Sequence, residues 1–168
     1  MIPLEADALF ACLESHGVKY VLIGGLAAVL HGSPLLTLDA DLCPLRTPDN
    51  LDRLAAALAD LDARIRTPDT GEGVRFPRDA RFLANIEVLN LVTRVGDVDL
   101  SFTPSGTRGF DDLAPRAILM PIHGVSVPVA RLEDVIRSKE AANRPKDRRT
   151  LPLLRELLEE LRKRQGDR

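Results

Sequence analysis

Asp39 and Asp41 stand two positions apart in the run Thr37-Leu-Asp-Ala-Asp-Leu42. An extended chain points alternate side chains to one face, so both carboxylates share a side. Their backbone origins are then about 7 Å apart, and the side chains can converge on one hard cation. Two carboxylates ~5 Å apart repel by roughly 3 kcal/mol at an effective dielectric of 20. A divalent cation relieves that repulsion, and an all-oxygen donor set favours Mg²⁺ or Mn²⁺. A lone Asp-x-Asp is a common accident of sequence. This pair gains weight from Gly24-Gly25, which lies between an apolar run and a helical stretch. Glycine lets backbone approach a phosphate closely, and a helix start presents free N–H groups to an anion. A third acid, Asp99 or Asp97, joins the pair if its strand lies beside the first.

The elements that must position these groups follow from periodicity. Leu4, Ala8, Leu9, Cys12 and Leu13 recur at helical spacing before Gly17, which predicts an amphipathic opening helix. Tyr20 to Ile23 reads as a buried strand, and the helix after the glycines ends at His31-Gly32. His31 is read as a capping or packing residue rather than a catalytic one. Thr47-Pro48 opens a helix with the face Leu51, Leu54, Leu58 and Leu61. Residues 66–81 read as a loop, or a loop around one short strand. Phe82 to Val92 is rich in β-formers, and Val98, Leu100 and Phe102 alternate with Asp97, Asp99 and Ser101, which together predict a hairpin. Residues 106–115 form a loop or short helix, and a short hairpin turns at His123-Gly124. Leu132 to Asn143 is helical. A last helix either begins near Thr150 or is kinked at Pro152.

Lys139 lies on the apolar stripe of Leu132, Val135 and Ile136, and Asp147 aligns with Leu151, Leu154 and Leu158. A charge on an apolar face snorkels to water or points into a polar site. Arg144 and Lys146 sit between the two. They form a solvated turn, or they neutralise a triphosphate.

The 168 residues are enough for one domain with its own core, and the net charge of −2 does not indicate a globally basic nucleic-acid binder. Composition argues against disorder except after Leu161. Cys12 and Cys43 have no paired spacing and read as small buried apolar side chains, not as a zinc site or a disulfide framework. The chain shows no signal peptide and no membrane-spanning run, so a cytoplasmic protein is expected.

The pattern Gly-Gly-x-Ala-x-x-x-His-Gly followed by Thr-x-Asp-x-Asp resembles the nucleotidyltransferases of the DNA polymerase β type. It is most similar to the small prokaryotic branch containing the abortive-infection nucleotidyltransferase toxins. The segments Ser138-Lys139 and Asn143-Arg-Pro-Lys-Asp147 add to the likeness, which spans about residues 20–158. The resemblance implies an α+β fold, a small mixed β-sheet flanked by helices with a helical C-terminal extension. The core would span residues 1–130 and the extension, packed on it, residues 131–168. It implies transfer of a nucleoside monophosphate from an NTP to a hydroxyl on tRNA, protein or a small molecule, with Mg²⁺ or Mn²⁺ as cofactor. Asp39, Asp41 and Asp99 would be the metal-binding and catalytic acids. Gly24, Gly25, Thr37, Lys139, Arg144, Lys146 and Asp147 would hold the nucleotide. A cognate antitoxin is an implied partner, and no membrane is. Relatives commonly carry Arg two residues before the Thr, where this chain has Leu35. That departure motivates the alternative of an inactive nucleotide-binding or toxin–antitoxin module of the same fold.

Overall fold

The computed structural model describes residues 2–167. The chain opens with helix α1 (Ala6–Ser15), strand β1 (Tyr20–Ile23), helix α2 (Gly24–Leu30), strand β2 (Asp39–Pro44) and helix α3 (Pro48–Asp60). It continues through β3 (Arg64–Ile65), α4 (Ala80–Ala84), β4 (Val88–Thr93), β5 (Gly96–Ser101) and α5 (Phe110–Leu113). A 3₁₀ turn (Ala114–Arg116) leads to the hairpin β6 (Ile118–Ile122) and β7 (Val125–Val129), and the chain ends in α6 (Leu132–Ala142) and α7 (Pro145–Gly166). This is the expected α+β class. One mixed sheet of seven strands, in the order β3-β4-β5-β2-β1-β7-β6, is flanked by helices.

The period-two pattern sorts the central strands into two faces. Leu22 pairs with Leu42, Leu42 with Leu100 and Leu100 with Leu89. Ala40, Val98 and Leu91 form the next row. All of these are buried, in one cluster with Leu9, Phe10 and Leu13 of α1 and Leu51, Leu54 and Leu58 of α3. Each fully buried leucine contributes about 1.5–3 kcal/mol of transfer free energy, enough to fix which face turns inward. The acids alternate with these residues and so share the other face.

After Ala130 the chain is helical. Leu132, Val135 and Ile136 of α6 and Leu151 and Leu154 of α7 are buried, and α6 packs on both α2 and α7. Asn143 makes the turn between them with φ at 49°, a left-handed conformation that Asn tolerates.

Three local expectations change. Residues 80–84 are a helix, where a loop to residue 81 and a strand from Phe82 were expected, because Asp79 caps them by accepting a hydrogen bond from the Phe82 N–H. The last helix begins at Pro145 rather than near Thr150. Pro145 opens it, and the Asp147 carboxylate reaches back to accept from the Arg144 N–H at 3.1 Å. Pro152 therefore lies inside the helix, with its ring exposed. The helix also runs past Leu161 to Gly166. Among the described residues no helix is long and apolar enough to cross a membrane.

Candidate active site

β1 delivers the chain to Gly24, whose φ of 68° is a conformation that L side chains rarely adopt. A Cβ at Gly24 would also collide with the Asp41 carboxylate, and one at Gly25 would come within 3.0 Å of Thr37 Oγ1. The two glycines thus let the start of α2 press against the acid-bearing strand. Thr37 braces the strand's entry: its hydroxyl donates to the Asp39 main-chain oxygen at 3.2 Å and lies 3.4 Å from Asp39 Oδ1.

The third acid is brought in by strand pairing. β2 and β5 run parallel, with Asp39 opposite Asp97 and Asp41 opposite Asp99. Residues opposite one another in a ladder share a face, so all four carboxylates stand on the side opposite the core. Ile23 and Asn90 continue that row on β1 and β4. Asp39, Asp41 and Asp99 line a cavity of about 650 Å³, and Asp97 is not among its lining residues. The cavity also takes in Gly24, Gly25, Thr37, Lys139, Arg144 and Lys146, all expected from the sequence. Its volume falls within the ordinary range for small-molecule sites.

Asp147 stands apart from this wall. Its carboxylate is wholly buried and accepts from Arg144 Nε at 2.7 Å, the Arg144 main-chain N–H at 3.1 Å and Lys139 Nζ at 3.4 Å. Burial alone would raise its pKa. The Arg144 hydrogen bonds and the charges of Arg144 and Lys139 outweigh it and hold the carboxyl below the usual range. It braces the two cations from behind and does not itself reach the cavity.

Arg66 was not anticipated. Its backbone N–H donates to the Asn90 carbonyl at 2.9 Å. Its guanidinium meets Asp97 Oδ2 at 3.2 Å and is also ion-paired with Asp99 Oδ1. A lone arginine in an aperiodic loop carries no spacing signal that could have found it. Asp134, at the start of α6, was also missed. It lines the cavity, almost fully buried, paired with Arg116 at 2.6 Å and Arg137 at 3.1 Å.

The electrostatics fit a site short of positive charge. Burial, then the charges of Asp39 and Asp99, push the Asp41 carboxyl up to about 7 against the pull of Lys146 and Lys139. Burial raises Asp99 as well, and Arg66 offsets only part of it. An oxygen-only donor set on one sheet face, holding an acid that retains its proton near neutrality, suits a hard divalent cation in chemical type. The oxygens of the three aspartates do not all lie within 4.8 Å of one another, however, and Asp99 is tied to Arg66. Among the described residues, the group that is so gathered is Cys12, His16 and Asp60, none of which lines the cavity. His31 is structural as expected, with Nε2 2.8 Å from the Ala130 carbonyl.

The mouth of the cavity is apolar. Leu35, Leu36, Leu38 and Val88 line it and are exposed, Leu36 by 88%.

No protein-family model matches the chain, and no curated protein matches it at significance. Among solved structures the chain is similar to a proposed nucleotidyltransferase from Thermotoga maritima, with TM-score 0.54 and 16% identity over 95% of this chain and 98% of that one. A proposed nucleotidyltransferase from H. pylori aligns at TM-score 0.40 and 16% identity, over 79% of this chain and 55% of its own. At such identities the T. maritima likeness speaks to fold, and the H. pylori alignment is too loose to add to it.

Proposed function

We propose, from the fold shared with the T. maritima protein, that this chain is a metal-dependent nucleotidyltransferase. It would move a nucleoside monophosphate from an NTP to a hydroxyl acceptor and release pyrophosphate. The observation that carries the reading is the β2–β5 register, which sets Asp99 beside Asp41 on the face that also holds Asp39, next to the Gly24-Gly25 bend.

Asp39, Asp41 and Asp99 would hold Mg²⁺ or Mn²⁺. Bound there, the cation would supply charge stabilisation at the α-phosphate and acidify the acceptor hydroxyl. Lys139, Arg144 and Lys146 neutralise the triphosphate, with Asp147 fixing the first two. The backbone of Gly24 and Gly25 and the Thr37 hydroxyl border the phosphates at the start of α2. Asp99, whose charged neighbours are Arg66, Asp39 and Asp97 where Asp41 has Lys146 and Lys139, would lie on the acceptor side. The chemistry rests on positioning and charge complementarity. The acceptor is a hydroxyl of tRNA, protein or a small molecule, and kinship with abortive-infection toxins and their antitoxins belongs to the same proposal.

A second reading has its own support. Leu35 in place of arginine and the Arg66–Asp99 ion pair both suit a nucleotide-binding module without turnover. Two measurements separate them. Cell extracts incubated with the four labelled NTPs and Mg²⁺ should yield a labelled acceptor with wild type and none with Asp41→Asn, and undiminished labelling by the variant removes Asp41 from the chemistry. Calorimetry with MgATP that shows binding, alongside blank labelling across all acceptors, favours the module.

A further inference from the structure

The structure gathers a second set of ligand atoms where two helices end. Cys12 lies in the last turn of α1, His16 is the residue that caps that helix one turn on, and Asp60 is the last residue of α3. The thiol, the imidazole and the carboxylate each place a ligand atom within 4.8 Å of the other two. His16 Nε2 lies 2.7 Å from Asp60 Oδ2. Only the packing of α1 on α3 creates the group, which is why no cysteine spacing announced it.

The surroundings favour a cation. Both helices turn their carbonyl ends toward the cluster, the negative pole of the helix dipole. Neither carries a basic side chain in its last turn. Arg94 is the basic group nearby, and its Nε donates to the Asp60 main-chain oxygen at 2.9 Å rather than to the carboxylate. The donor types are also informative. A thiolate, an imidazole and a carboxylate together suit zinc, whereas magnesium takes oxygen donors alone. Water has room to complete a tetrahedron, because the His16 and Asp60 side chains are 26% and 62% exposed.

We propose that Cys12, His16 and Asp60 form a site for a borderline-soft divalent cation, zinc first, which clamps the end of α1 to the end of α3. Binding exchanges the Cys12 thiol proton, released to solvent, for a sulfur–metal bond, with His16 and Asp60 as nitrogen and oxygen donors. Burial and the Asp60 carboxylate beside it keep the metal-free thiol in its protonated form. The site stands independently of the transfer reaction, since all three residues lie outside the cavity.

The test uses metal-stripped full-length protein titrated with Co²⁺, then Zn²⁺, then excess Mg²⁺. A sulfur-to-cobalt charge-transfer absorption should appear and saturate at one sulfur-bound Co²⁺ per chain, whatever the acids of the cavity take up, and Zn²⁺ abolishes it by displacement while Mg²⁺ leaves it untouched. Cys12→Ser should lose the absorption. Asp60→Ala, a change on an exposed side chain, should fold normally and weaken Zn²⁺ binding by about 10–100-fold. Asp41→Asn should leave the sulfur-to-cobalt absorption unchanged, whatever it does to cation binding in the cavity. Cys43, buried beside the Phe102 carbonyl, stays in every variant and controls for adventitious thiol binding. The proposal is overturned if wild type shows no absorption, if Cys12→Ser retains it, or if Asp60→Ala binds Zn²⁺ as tightly as wild type.

Discussion

Asp41 is pulled two ways at the level of a single carboxyl. In the metal-free protein its pKa is pushed up to about 7 by burial and by the charges of Asp39 and Asp99. In the unfolded chain the same group titrates near 4. Between about pH 4 and about pH 7 the folded state therefore holds a proton that the unfolded state has released, and stability falls as pH rises through that window. Asp41→Asn removes this dependence. In urea unfolding without divalent ions, the variant should gain on wild type between about pH 5 and about pH 8. An equal offset at both values would mean that Asp41 is not the titrating group. Gly24 carries the complementary constraint. Gly24→Ala forces a left-handed alanine, at about 1–2 kcal/mol, and drives its methyl into the Asp41 carboxylate. Calorimetry should show a larger fall in Tm than for Gly25→Ala, where φ is ordinary and the contact is a tight 3.0 Å to Thr37. Equal losses would show that the approach to Asp41 costs nothing.

Elements supply what single residues cannot. The α6–α7 turn brings Lys139 and Arg144 to one buried carboxylate, Asp147. Removing it leaves two cations without their partner and the first turn of α7 without its cap. Asp147→Ala should destabilise the protein by about 3 kcal/mol, read from the denaturant midpoint, and should weaken NTP binding although Asp147 does not reach the cavity. Asp147→Asn, able to keep the bond from the Arg144 N–H, should lose less stability; parity between the two would deny the cap its share. The alternation of β2 and β5 was legible because each strand buries one face and wets the other. The helix at 80–84 was not, although Asp79 is a cap signal in plain view. Phe82 and Leu83 resemble strand residues by composition, and a short helix offers too few turns for its period to show. The start of α7 was left open for a related reason: Pro152 suited a beginning near Thr150 as well as a helix running through it, and Pro145 is where the helix begins.

For the molecule as a whole, the legible part of the site is the part carried by short-range order. Glycines before a helix, acids two apart, and a lysine on an apolar stripe each declare themselves within a few residues. What stayed hidden is every relation made by packing: the register that sets Asp97 and Asp99 beside Asp39 and Asp41, the reach of Arg66 across to β5, and the meeting of Cys12 with Asp60. These depend on sheet order and helix packing, which periodicity does not encode. Asp97 and Asp99 are equivalent in sequence pattern, and only the cavity wall distinguishes them.

Arg66 begins the stretch joining the two-residue β3 to α4, and that stretch is also tied to the sheet by the Arg66 N–H on the Asn90 carbonyl and by the bridge of Ile65 with Val74. Its guanidinium is therefore an anchor line as well as a counter-charge. Any newcomer that takes over the Asp99 oxygen casts off one mooring of the 66–79 segment, so the slack in that surface loop becomes a gauge of what the acids are holding.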